Sequence, residues 1–125
     1  MSEVSVRYMI DDVPAAVTFY TTVLGFTLEQ DASPAFAAVA RDGVRLLLSG
    51  EGSSGKRPLA DGRTQGPGGW NRIHLQVGDL EAEVTRLRTA GVRFRTHDIV
   101  TGPGGSQVII EDPSGNPIEL FQSRR

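Results

Sequence analysis

The chain lacks cysteine altogether. This excludes a disulfide framework, thiolate catalysis, Cys-ligated zinc and iron–sulfur chemistry. Histidines number only two, His74 and His97, and there is a single tryptophan, Trp70. Charge of one sign is also missing. Thirteen Lys and Arg stand against fifteen Asp and Glu, for a formal charge of −2. No nucleic-acid partner is expected, because such partners call for a strongly basic face. No apolar run approaches the roughly 18 residues of a membrane span, and acidic Glu3 stands where a secretory leader would carry positive charge. No membrane partner is expected, and the expected address is the cytoplasm. What is plentiful is glycine, 15 of 125 residues with seven prolines besides, which forecasts many turns or a long loop. The length suits a single domain with its own core.

The organising feature is an internal repeat. Asp12 and Asp79 lie 67 residues apart, and Ala15/Ala82, Val17/Val84 and Thr18/Thr85 follow at the same offset. Each copy opens with an alternating strand, 4–10 in the first and 73–77 in the second. An aspartate then occupies a helix N-cap position. Val13, Ala16, Val17, Tyr20 and Leu24 recur at helical spacing in the first copy, as do Leu80, Val84 and Leu87 in the second. Gly25 and Gly91 stand where these helices stop. Three short strands close each copy, near 26–30, 36–41 and 44–49, then near 93–96, 107–111 and 118–122. Asp42-Gly43 and Pro113-Ser-Gly-Asn116 supply tight turns. The reading is an α+β fold, βαβββ twice. Residues 1–125 form one domain, with module one at about 1–50, a linker at about 50–69 and module two at about 70–125. The linker holds seven glycines and two prolines, and reads either as a flexible crossover or as a lid over a pocket.

Some motifs are discounted. Gly50 to Lys56 spells two phosphate-loop patterns, but both require a helix immediately afterwards. Arg57-Pro58 follows instead, and Arg57 stands where a magnesium-binding Ser or Thr belongs. His97 reads as a solvated loop residue. Phe19 and Tyr20 read as helix core.

Asp12…Phe19-Tyr20…Leu24-Gly25-Phe26, Val77-Gly-Asp79-Leu80 and above all Asp112-Pro-Ser-Gly-Asn-Pro-Ile-Glu119-Leu120 carry a family pattern. On these motifs the whole chain resembles the vicinal oxygen chelate superfamily, which includes glyoxalase I, extradiol dioxygenases, fosfomycin-resistance transferases and bleomycin-resistance proteins. The resemblance implies that each module's sheet curls and that two modules form a cupped cavity. Metal-dependent members place up to four ligands in it, one on the first and one on the last strand of each module. Carried over by position, these are Ser5, Leu47, Arg72 and Glu119. Only Glu119 is a competent ligand. His74 lies two residues from Arg72, a strand step of roughly 6.6 Å, and with Glu119 still gives only two ligands where catalytic zinc usually takes three. No metal site and no cofactor is therefore expected. Glu119 is read as ion-paired with Arg72 or Arg7.

Side chains alternate between strand faces. Val6, Tyr8 and Ile10 then face the helix, as do Ile73, Leu75 and Val77. The residues expected to line the cavity are Arg7, Met9, Phe36, Arg45, Leu47, Trp70, Arg72, His74, Gln107, Glu119 and Phe121. Trp70 stands at the rim, or else packs at a module or subunit boundary. The expected function is binding of a small organic ligand, an antibiotic or other natural product, by a cytoplasmic homodimer that carries no metal. The alternative is a lyase, isomerase or dioxygenase of the same superfamily, with Glu119 and His74 as candidate catalytic residues. A structural module that dimerises and binds nothing small is the third reading.

Overall fold

A computed structural model describes residues 4–124 of the chain. They fall into two compact units, one ending at Gly68 and one starting at Gly69. The first unit contains β1 (Ser5–Met9), α1 (Val13–Thr18), β2 (Thr27–Ala32), β3 (Phe36–Arg41) and β4 (Val44–Ser49). Its sheet runs β1-β4-β3-β2, with β1 parallel to β4 and the other pairs antiparallel. The second contains β5 (Ile73–Gln76), α2 (Leu80–Thr89), β6 (Arg93–Phe94), β7 (Val100–Thr101), β8 (Gly105–Glu111) and β9 (Pro117–Ser123). Its sheet runs β5-β9-β8-β6, with β7 also on β8 and β5 parallel to β9. The fold is α+β. The first unit has the βαβββ order, and the second repeats it with one additional two-residue strand, β7.

The same local device starts both helices. The Asp12 carboxylate accepts the Ala15 amide at 3.1 Å and the Asp79 carboxylate accepts the Ala82 amide at 3.1 Å. These aspartates cap amides that have no partner inside the helix. Gly25 (φ +72°) and Gly91 (φ +80°) follow the helical segments in the left-handed region that glycine tolerates best. One face of each sheet packs on its helix. In the first unit Ile10, Val13, Ala16, Tyr20, Leu46 and Leu48 are fully enclosed, and in the second Leu80, Leu87, Val108, Ile110, Ile118 and Leu120. Each such large aliphatic side chain contributes about 1.5–3 kcal/mol relative to exposure.

The structure refines the element bounds. A regular helix through Leu24 was expected, but α1 ends at Thr18 and continues as a π-helical turn, Phe19–Val23. The Thr21 hydroxyl donates to the Val17 carbonyl at 2.7 Å, a local side-chain bond that competes with the helical ladder. The wider turn lets the consecutive aromatics Phe19 and Tyr20 both enter the core, where Tyr20 meets Phe19 and Phe26 edge-on at 5.2 and 5.4 Å. Strand β6 is two residues rather than four, because the Arg95 and Thr96 amides both turn onto the Ile109 carbonyl. The pairing of β7 with β8 was not foreseen. Part of the segment read as a linker folds onto the first unit. The Gly50 amide donates to the Ala35 carbonyl, Ser54–Lys56 forms a short 3-10 turn, and Lys56 reaches the Ile10 carbonyl at 3.3 Å.

Candidate functional site

The second unit gathers most of the chemistry. Register places His74 opposite Glu119 and Gln76 opposite Phe121, while Glu119 faces Ile109 and Phe121 faces Gln107 on β8. Because faces alternate, Arg72, His74, Gln107, Glu119 and Phe121 stand on one side of the sheet, with Ile73, Leu75, Val108, Ile118 and Leu120 on the helix side. The last strand reaches this position through the turn at Asp112. That carboxylate is fully enclosed and accepts the Ser114 and Asn116 amides at 2.9 Å each and the Asn116 side-chain amide at 3.0 Å. The Asp-Pro-Ser-Gly-Asn run is therefore structural, and it fixes the start of the strand that carries Glu119.

Glu119 exposes only 11% of its side chain. A carboxylate so enclosed needs a partner, and Arg72 supplies it. Its Nε and Nη2 lie 3.0 and 2.9 Å from Glu119 Oε1. Of the two arginines considered as partner, it is Arg72 that pairs. Arg7 instead donates to the Ser49 hydroxyl at 2.9 Å within the first unit. His74 Nε2 stands 3.6 Å from Glu119 Oε2, just outside hydrogen-bond reach, with 45% of its side chain open to solvent. Its ring leans on Phe121, centroids 4.8 Å apart. A side chain at Gly105 would strike Phe121 Cζ at 2.8 Å and the Gln122 carbonyl, so glycine is needed there for Phe121 to keep this position.

Trp70 is 73% exposed, and its ring lies over the Arg95 guanidinium, 4.7 Å from carbon to centroid. Its carbonyl accepts from Arg72 Nη1 at 3.1 Å. Arg95 was not singled out from the sequence, nor was its partner Glu111, 2.8 Å away. For Glu111 alone the signal was present in the alternation: it shares the face of Ile109, which lies opposite Glu119.

In the first unit Arg7 and Leu47 are opposite one another, as are Met9 and Ser49, and Phe36 and Ser49. Arg45 pairs with Glu29 at 2.8 Å. Arg45, Leu47, Glu29, Gln30 and Ala38 border a depression of about 210 Å³. Arg7 packs over Gly55, where any Cβ would collide with its guanidinium. The discounted phosphate-loop text is thus consumed by internal contacts: Gly55 seats Arg7, and Lys56 is nearly enclosed, bonded to Ile10 and to Glu51. His97 is 94% exposed beside Asp98. A larger cavity, about 600 Å³, opens near the start of α2 between Asp79, Thr101, Ser106, Gln122 and Arg124. None of the residues expected to line the ligand site borders it.

The donor set does not fit a divalent ion. At the four positions implied by the resemblance, Leu47 offers hydrocarbon, Ser5 a weak hydroxyl and Arg72 a cation that already holds Glu119. Zinc sites call for three protein donors of the N, S or carboxylate kind. Among the described residues no group of three or more His, Cys, Asp or Glu side chains could hold a metal.

Comparison with known proteins agrees with this architecture. The model of the Glyoxalase/Bleomycin resistance protein/Dioxygenase superfamily matches residues 4–120. A Mycobacterium bovis protein named "Putative glyoxylase CFP32" is 28% identical over 115 residues, 91% of this chain, and the chain spans only 42% of that relative's length. A superfamily member from Sphaerobacter thermophilus superposes with a TM-score of 0.78 at 25% identity, covering 98% of both chains. TnmS3, an antibiotic binding protein from Streptomyces, superposes with a TM-score of 0.72 at 26% identity, covering 98% of this chain and 97% of its own. With the family pattern running through both units, the chain belongs to the Glyoxalase/Bleomycin resistance protein/Dioxygenase superfamily.

Proposed function

We propose that the chain binds a small, flat organic ligand on the polar face of the second unit, with no metal ion taking part. The carrying observation is the Arg72–Glu119 pair. The one ligand-competent carboxylate of the family pattern is neutralised by a guanidinium from the other ligand position, and the same guanidinium holds the Trp70 carbonyl. The site is thus arranged around an exposed indole. Covering one aromatic of 150–250 Å² is worth roughly 4–6 kcal/mol at about 25 cal/mol/Å², so stacking alone supports useful affinity. The likeness to TnmS3 supports an antibiotic or related natural product as ligand and a role in resistance. A cytoplasmic homodimer completes the proposal, since a lone module pair leaves sheet edges to be covered. The test is a thermal-shift screen of aromatic antibiotics, followed by titration of the strongest hit against W70A. A loss of more than about 1 kcal/mol is expected, as for aromatic hot spots. Unchanged affinity removes Trp70 from the site.

A second reading rests on His74. Its half-open imidazole lies 3.6 Å from a buried carboxylate, an arrangement a metal-free general base could use. In an enzyme of that kind, E119Q abolishes turnover while leaving the fold intact. Full activity in E119Q removes Glu119 from any mechanism.

A further inference from the structure

Trp70 follows Gly68 and Gly69, both at positive φ (+111° and +87°), on a stretch of chain with little backbone stiffness of its own. Yet three separate tethers meet beneath it, all on Arg95. The guanidinium Nε donates to Glu111 at 2.8 Å, Nη2 to the Gly115 carbonyl at 2.9 Å and Nη1 to the Gly69 carbonyl. Only 17% of the Arg95 side chain is exposed. Every nitrogen of the planar fork is engaged, so the cation is held in one orientation, its central carbon 4.7 Å from the indole centroid. One face of Trp70 is therefore occupied and the other is open.

Building on the ligand-binding reading above, we infer that Arg95 is a positioning residue that fixes Trp70 as a one-sided stacking platform and directs its free face toward electron-rich or anionic arenes. Two observations set that preference. A cation against one face of an aromatic ring interacts with the electron density of the ring, so the opposite face favours a partner rich in electrons. The surrounding sheet face also carries Arg72, Arg93 and Arg95 against Glu111 and Glu119, and Arg93 stands 3.9 Å from a glutamate that Arg95 already holds. The excess charge next to the platform is positive. A planar phenolate, carboxylate or sulfonate thus matches the site, and a planar ammonium does not.

Because Trp70 is the sole tryptophan, its fluorescence reports this site alone. Time-resolved anisotropy without ligand reads the positioning role. Restricted indole motion is expected in the native chain, with faster and wider motion in R95K and R95M. Equilibrium dialysis with naphthalene-2-sulfonate, naphthalene-2-methanol and 2-naphthylmethylammonium reads the preference. The native chain is expected to hold the sulfonate about tenfold tighter than the ammonium, and R95M to reduce that ratio to about twofold. Circular dichroism checks the variants. If R95M does not fold, R95K and the native ratio carry the test, because R95K keeps the charge and loses the planar fork. Equal affinities for the three probes in the native chain overturn this inference while leaving the ligand-binding reading standing. Binding of none of them overturns both. Unaltered indole motion in R95K and R95M overturns the positioning role.

Discussion

The two units share strand order, capping device and register, yet equivalent rows of their sheets carry opposite chemistry. In the first, Arg7, Leu47 and Ala38 lie side by side across β1, β4 and β3. In the second, His74, Glu119 and Ile109 occupy the matching row. Leucine in one copy stands where a buried carboxylate stands in the other. Arg7 is turned inward to Ser49 and Gly55, whereas Arg72 is committed to Glu119 and to the backbone of the exposed indole. A duplicated scaffold does not require duplicated chemistry. Here the polar network is concentrated in the second copy, and the first supplies a mainly apolar row whose one cation, Arg7, is bonded to the Ser49 hydroxyl.

The sharpest break of this comparison lies in the hairpins that deliver the last strands. Asp42-Gly43 closes the first with φ of +50° and +79°, and its aspartate side chain is 85% exposed. Asp112 closes the second from a fully buried position with three hydrogen bonds. D112A is expected to cost about 3 kcal/mol, since it strands buried amides. D42A, which trades a tolerated positive φ and an exposed contact with Arg41 at 3.3 Å, is expected to cost about 1 kcal/mol. Urea denaturation of both variants checks the difference, and equal losses would show that the buried turn carries no special weight.

Next in size is the ion pair. R72A leaves the enclosed Glu119 carboxylate without its guanidinium, and a loss of about 2–3 kcal/mol is expected, less than for a fully buried pair because Arg72 is 26% exposed. Removing the pair altogether, R72A together with E119L, which sets the first unit's leucine at the carboxylate position, is expected to recover most of that stability. Denaturation midpoints of the single and double variants decide this. If the double variant is no better than R72A, the cost came from lost packing of the arginine stem and not from an unpaired charge.

Much of this contrast was legible in the chain itself. The 67-residue offset exposed the duplication, and two-residue alternation assigned Arg72, His74, Glu119 and Phe121 to one face. The choice of Arg72 over Arg7 as partner was not legible, because Arg7 on β1 and Arg72 just before β5 have the same parity. Nor was the role of Arg95. It sits where β6 leaves regular pairing, with two amides on one carbonyl, so alternation no longer says where its side chain points. The π-helical turn was hidden for a similar reason: a 3.6-residue period describes Val13 to Leu24 well, and only the Thr21 hydroxyl reveals the competition.

The smallest contrast lies at the helix starts. Asp12 and Asp79 make capping bonds of the same length, but α2 also has a second device. The Gln122 side-chain oxygen, on β9, accepts the Leu80 amide at 2.8 Å, tying the first turn of α2 to the sheet. In α1 the second helical position is Pro14, which has no amide hydrogen to satisfy. Removal of an Asp cap typically costs about 1 kcal/mol. D12A is expected at about that value and D79A at roughly half of it, because Gln122 keeps the end of α2 in place when the aspartate is gone. The pair is measured by urea denaturation, alone and with Q122A. If Q122A leaves the cost of D79A unaltered, the strand-borne glutamine is not a second cap, and the two helix starts are equivalent in energy as well as in sequence.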